Sequence, residues 1–217
     1  MRKALIVSGG WEGHSPKKFA DIYTKQLSGD FIVTNSQDLT VYEDAGALVD
    51  YDLIIPNWTM GNMSADQARN LSRAVKKGVG LAGVHGGMGD SARGNLMFEW
   101  MVGGHFLDHP FIGEYEVQLT DNASEITEGI DRHFPYNSEQ YYVMVDPAVR
   151  VLAETVYRYD DQEIVMPVCW TKMWGAGRVF YCSLGHAPGE FIDFPNARIM
   201  AIRGMQWAAR TTETGPG

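Results

Sequence analysis

Residues 79–84 read Val-Gly-Leu-Ala-Gly-Val and run straight into His85-Gly86-Gly87. Few folds accommodate that junction. A run of small and apolar residues without polar alternation fits a strand buried on both faces, as in a parallel sheet covered by helices. Glycines on either side of His85 permit a tight strand-to-helix turn, which holds one side chain up at the strand end. In an open α/β sheet, ligands bind beyond the carboxyl ends of the strands. The junction therefore predicts both a fold class and the place to look for chemistry.

The rest of the chain repeats the theme. Lys3 to Val7 reads as a buried strand that ends in Ser8-Gly9-Gly10. Ser15-Pro16 then places a cap and a first-turn proline before Phe19, Ile22, Tyr23 and Leu27 at helical spacing. Strands follow at Phe31 to Thr34 and Tyr51 to Pro56. Ser64 caps a helix to about Lys77, and a further helix covers about Gly94 to Val102. In the second half, strands are expected at Tyr115 to Leu119, Val149 to Tyr157, Ile164 to Thr171 and Arg178 to Ser183, with a closing helix from Asn196 to Ala209. Alternating strands and helices predict a three-layer, doubly wound, mostly parallel α/β sheet of flavodoxin-like type, with about six or more strands. Ala176-Gly177 suggests a hairpin turn, so residues 164–183 are expected to form an antiparallel edge. One domain is expected over residues 1–210, with a disordered tail at 211–217. The segment 103–137, rich in glycine, proline and aromatics, is expected as an insertion lying over the cleft.

Charge excludes some partners. With 27 acidic against 18 basic residues the net charge is -9, and the bases form no stripe. Nucleic acid and anionic membranes are poor partners for such a surface. No segment approaches the length of a membrane span, and the N-terminus reads as a strand rather than a signal peptide, so a cytoplasmic location is expected. The two cysteines, Cys169 and Cys182, lie in strand-like runs and are expected as buried thiols rather than nucleophiles.

Four segments carry candidate chemistry. His85 follows one strand and His186 another, the latter in Ser183-Leu184-Gly185-His186. Glu139, between polar residues and tyrosines in Asn137-Ser138-Glu139-Gln140-Tyr141-Tyr142, suits a general acid/base or an orienting carboxylate. These three are the catalytic candidates. His105 and His109 stand four apart; a helix would let them share a metal, but the glycines and Pro110 argue for a loop. With His85 and His186 they make a candidate metal set. Zinc or another divalent ion would fit three imidazoles and a carboxylate, and a metal-free acid/base cluster fits equally well. His14 and Trp11, in the loop after the first strand, join Trp58, Tyr141 and Tyr142 as candidate substrate contacts, because exposed aromatics suit the apolar faces of sugar rings. Trp170 and Trp174 also lie near predicted strand ends. The aromatic-rich run from Phe98 to Phe111 is expected to roof the cleft or to form a homo-oligomer interface.

Together these segments resemble the trehalose-utilisation ThuA-like family. The resemblance rests on Gly83-Val84-His85-Gly86, Gly103-Gly104-His105-Phe106 with His109-Pro110, Ser138-Glu139-Gln140-Tyr141-Tyr142, and Gly177-Arg178-Val179-Phe180-Tyr181 with Leu184-Gly185-His186. It implies a class I glutamine-amidotransferase-like fold. That fold places a cysteine nucleophile where this chain has His85, so glutamine hydrolysis is not expected. The later histidine of that fold corresponds to His186, with Glu190 four residues on. The resemblance implies a sugar-catabolism enzyme that acts on a keto-disaccharide or related keto-sugar by hydrolysis, elimination or isomerisation, coupled to a sugar dehydrogenase. The competing reading is a non-catalytic protein that binds sugar or regulates its use.

Overall fold

The computed structural model describes residues 1–122 and 124–211. The tail expected from residue 211 thus lies, from residue 212 on, outside the described residues. In chain order the elements are β1 (Arg2–Gly10), α1 (Pro16–Leu27), β2 (Phe31–Ser36), α2 (Ala45–Leu48), β3 (Leu53–Thr59), α3 (Ala65–Lys76), β4 (Gly80–Val84), α4 (His85–Gly89), α5 (Leu96–Val102), β5 (Gly104–Leu119), β6 (His133–Val145), β7 (Arg150–Tyr159), β8 (Gln162–Trp174), β9 (Gly177–Cys182), α6 (Glu190–Asp193) and α7 (Pro195–Ala208). Short 3-10 turns cover Glu12–His14 and Leu39–Glu43.

Among the described residues, nine strands form one mixed sheet in the order β2-β1-β3-β4-β9-β8-β7-β5-β6. The first five strands of that order run parallel. The remaining pairings, from β9–β8 to β5–β6, are antiparallel. The antiparallel turn at 164–183 is therefore present, but it lies mid-sheet, because β9 returns to pair with β4.

Helices cover both faces of the parallel half. Phe19, Tyr23 and Leu27 of α1 share a core with Met200, Ala201 and Met205 of α7 on one face. Leu71, Ala74 and Val75 of α3 and Phe98 and Met101 of α5 pack on the other. The apolar run Ala4–Val7 is buried throughout because β1 lies between these layers. Ser64 and Gln67 start α3 with a reciprocal capping box, which satisfies two otherwise unpaired N–H groups.

Two expectations change. The segment 103–110 is strand rather than loop. Gly103, at φ +91, ends α5, and β5 starts at Gly104. Pro110 is tolerated because β5 carries register shifts between Phe106 and Asp108 and between Asp108 and Phe111. The insertion over the cleft is a long β5–β6 hairpin, of which only the middle borders the cleft. The run from Phe98 to Phe111 is divided likewise: Phe98 and Met101 are core, while Trp100, Leu107 and Phe111 are exposed. Among the described residues, no helix is long and apolar enough to cross a membrane.

Candidate functional site

Parallel strands β1, β3, β4 and β9 end on one edge of the sheet. Gly10 of β1 lies beside Thr59 of β3, and Val84 of β4 lies beside Cys182 of β9. The loops that follow bring His14, Thr59, His85 and His186 together. His85 has φ +47, in the left-handed region that a side chain adopts only at a cost. The flanking glycines make that turn affordable for the backbone around it. Gly86 also has no room for a side chain: a Cβ there would lie 2.5 Å from Cε1 of His14.

Glu139 arrives from the opposite direction. It sits on β6, the outermost strand, yet its Oε2 is 3.2 Å from Nε2 of His85. The antiparallel extension therefore curls back over the parallel half. Bulges in β5 give it the extra twist and bend that this path needs.

His85 is almost fully buried, and its Nδ1 lies 2.7 Å from the carbonyl oxygen of Ser183. A carbonyl only accepts, so Nδ1 carries the proton and donates it. That turns the other ring nitrogen, Nε2, toward the cluster and Glu139. His186 Nδ1 is 3.3 Å from His85 Nε2 and 3.4 Å from Glu139 Oε1. His14 Nδ1 is 2.7 Å from Thr59 Oγ1, which orients the ring. The ligand-capable atoms of His14, His85, Glu139 and His186 all lie within 4.8 Å of one another. Tyr141 packs its ring on that of His85, with centroids 4.1 Å apart.

The electrostatics follow from burial and pairing. Burial pulls the Glu139 carboxyl upward, but hydrogen bonds from His186 and His85 outweigh it and hold the group well below the usual carboxylate range. Burial, and then the nearby His85 and His186, push His14 down to about 3, so it is neutral at pH 7. The hydrogen bond to Glu139 raises His186 above its ordinary value. For metal-free protein Glu139 and His14 lose stability as pH falls, His14 already below 6.5, and His186 loses it as pH rises. The Glu139 contribution to stability is complete above its unfolded value of 4.5 and is lost as pH falls. The His186 contribution is complete below 6.5 and is lost as pH rises through its higher folded value. Thermal scans should therefore show a Tm that declines below pH 6.5 and again as pH rises through the folded value of His186, and Glu139→Gln should flatten the alkaline limb. An equally steep alkaline limb in Glu139→Gln would contradict the pairing.

A cleft of about 190 Å³ opens above the cluster. Trp11, Phe106 and Tyr141 line its apolar side, and Thr59, Asp90 and Arg93 its polar side. Arg93 gives Nε and Nη2 to the two oxygens of Asp90, at 2.8 and 2.7 Å. His109 stands at the rim, its Nε2 3.6 Å from Glu139 Oε1.

Of the sequence-derived candidates, His85, Glu139 and His186 are brought together, His109 borders them, and His14 joins the cluster itself. His105 does not. Its Nδ1 is 2.9 Å from Glu99 Oε2, on the far side of the strand. A register shift between Phe106 and Asp108 reverses which residues face the cleft, so positions 105 and 109 look opposite ways. Trp11 and Tyr141 line the cleft, whereas Trp58 lies against Gly9 and Gly61 and Tyr142 packs on Tyr157. Tyr142 follows Tyr141 in a strand and so takes the other face. Trp170 and Trp174 are buried and donate to Val102 O and Ser72 Oγ. Cys169 and Cys182 are buried, free neighbours across β8 and β9. Asp90 and Arg93 were not anticipated; only their place just after the glycine-rich turn hints at them.

This is a doubly wound α/β protein with a histidine–carboxylate cluster at the carboxyl ends of its parallel strands. The chain belongs to the ThuA family, described as trehalose utilisation, whose model matches residues 3–208. No curated protein matches the sequence. A ThuA-like protein from Bacteroides uniformis is similar in structure, with a TM-score of 0.77 at 19% identity, over 95% of this chain and 91% of that one. One from Parabacteroides merdae has a TM-score of 0.76 at 17% identity, over 99% and 93%. A cytoplasmic protein from Salmonella typhimurium has a TM-score of 0.70 at 16% identity, over 96% and 100%. At these identities the likeness shows the fold. The family places the chain in carbohydrate metabolism and apart from glutamine amidotransferases, in keeping with histidine rather than cysteine at the elbow.

Proposed function

We propose that His14, His85, Glu139 and His186 bind one divalent metal ion, zinc being the best match, and that the cleft above them acts on a keto-disaccharide or related keto-sugar. One observation carries this reading. His85 Nε2 and His186 Nδ1 are 3.3 Å apart, and each lies beside one oxygen of Glu139, Oε2 at 3.2 Å and Oε1 at 3.4 Å respectively. Ligands about 2.0–2.1 Å from a tetrahedral zinc ion stand about 3.3–3.4 Å from one another. His14 lies a short movement away. Nitrogen and carboxylate donors of this kind suit zinc, and the Ser183 carbonyl fixes the His85 tautomer that ligation requires.

A divalent ion there supplies Lewis acidity toward a carbonyl or a water oxygen. The chain does the rest. Trp11 and Phe106 offer flat apolar surface to a sugar ring. Arg93 has Nε and Nη2 engaged by Asp90 and offers Nη1 to a sugar oxygen. His109, outside the tight cluster, takes or returns a proton at the cleft mouth. At about 190 Å³ the cleft is smaller than the roughly 300 Å³ at which ligand pockets usually begin, so it admits one ring and leaves a second outside. Hydrolysis, elimination and isomerisation of a keto-sugar all use these parts. The keto group implies a dehydrogenase acting upstream. A cytoplasmic location, as for the Salmonella relative, fits such a role.

Incubation of zinc-loaded and metal-stripped protein with a keto-glycoside tests this reading. Turnover by the loaded form alone is expected. Equal turnover by both forms would favour the direct His85–Glu139 hydrogen bond as part of a metal-free acid/base cluster. Sugar binding with no turnover would establish the non-catalytic alternative.

A further inference from the structure

Glu190, the first residue of α6, touches neither the cleft nor any imidazole ring of the cluster, yet its carboxylate is fully engaged. Oε2 accepts from the Tyr136 hydroxyl at 2.5 Å and from the His186 backbone N–H at 2.9 Å. Oε1 accepts from the Ser138 hydroxyl at 2.8 Å. Tyr136 in turn accepts from the Gly185 N–H at 2.9 Å. Gly185 sits at φ +102, so the turn that presents His186 has a conformation few residues hold unaided.

Strand alternation gives this network its meaning. Phe134, Tyr136, Ser138 and Gln140 point to one face of β6, while Glu139 and Tyr141 point to the other. The Glu190 carboxylate thus grips the back of β6, on the residue just before Glu139, and also the backbone of His186. The two cluster members it joins come from elements that share no strand pairing: β6 is the outermost strand, and the loop after β9 lies mid-sheet. Tyr136, through Gly185 N–H, adds a second tie between β6 and this turn, and Glu190 holds Tyr136 as well.

We propose that Glu190 is the positioning residue that sets the Glu139–His186 spacing, stapling the antiparallel extension to the His186 turn. The inference rests on the metal reading for its first readout and stands apart from it for its second. In the first, zinc affinity is measured by competition with a chelating dye. Glu190→Ala should fold and bind zinc about 10–100-fold more weakly, the usual cost of losing a partner behind a ligand. Glu190→Gln should recover most of that loss, because its amide oxygen still accepts from Tyr136 and His186 while Ser138 turns to accept from the amide nitrogen. Wild-type affinity in folded Glu190→Ala, or a Glu190→Gln variant no better than the alanine, would overturn the proposal. If Glu190→Ala fails to fold, Ser138→Ala removes one bond to the same carboxylate. A smaller but measurable loss of affinity is then expected, and no loss would overturn the assignment. In the second readout, amide hydrogen exchange on metal-free protein distinguishes a failed staple from a failed metal site. Exchange at Gly185 and His186 should quicken at least about tenfold in Glu190→Ala or Ser138→Ala, with β4 amides unchanged. Unchanged exchange at both amides would overturn the proposal even if zinc never binds.

Discussion

Replacing His85 with alanine is expected to weaken zinc binding by more than about 100-fold, beyond what loss of a supporting partner costs, while leaving the fold intact. His85 is the hub of the cluster. It is within 3.3 Å of both Glu139 and His186, and its ring packs on Tyr141. The Ser183 carbonyl engages its Nδ1, so Nε2 is the ring nitrogen turned toward the cluster. The turn itself does not depend on the imidazole. The Tyr181 hydroxyl donates to the His85 carbonyl at 3.2 Å, and the Asp90 N–H donates to that of Gly86 at 3.3 Å. Those bonds survive in alanine. Far-ultraviolet circular dichroism and thermal scans should therefore resemble wild type, while calorimetric zinc titration should not. A folded His85→Ala protein with wild-type affinity would remove this residue from the metal site.

The largest effect on stability is expected far from the cleft, at Gly204. This glycine lies in α7, where a Cβ would stand 2.2 to 2.4 Å from three ring atoms of Phe180. Phe180 is on β9, fully buried in the sheet's centre, so its ring has nowhere to go. Helix propensity favours alanine over glycine by about 1 kcal/mol. The clash outweighs that gain, because α7 must lift from the sheet and give up packing by Met200, Ala201 and Met205. A net loss of about 2–3 kcal/mol is expected for Gly204→Ala. For a chain of this size that corresponds to a Tm lower by about 4–12 °C. A variant as stable as wild type would mean that α7 sits farther from β9 than described.

Much of this architecture was legible in residue order. The run from Val79 to Val84 is buried on both faces as its composition requires, and the glycines after it hold His85 at the strand end. The same logic placed His186 after β9. Local pattern carried these because one strand and one turn decide them. Glu139 was legible as a candidate from its neighbours, but its meeting with His85 depends on how the β5–β6 hairpin curls across the sheet, which no local pattern encodes. His105 shows the limit most clearly. In a helix, spacing by four would link it with His109, but a register shift in β5 turns one toward Glu99 and the other toward the cleft. Bulges depend on cross-strand pairing, so they are invisible in one strand read alone. His14 was read as a substrate contact after the first loop; its place in the cluster follows from β1 lying next to β3, a consequence of sheet order. Asp90 and Arg93 form an i, i+3 pair that resembles any surface ion pair until the cleft is seen beside it.

The account's central claim is that His14, His85, Glu139 and His186 hold one metal ion. Anomalous diffraction at the zinc edge, from crystals of untagged protein grown without chelator, tests it most directly. The account predicts a single peak about 2.0–2.2 Å from His85 Nε2, His186 Nδ1 and a Glu139 oxygen, with His14 drawn in to complete a tetrahedron. A cluster still closed by direct His85–Glu139 and His186–Glu139 hydrogen bonds, with no peak after a zinc soak, would contradict it.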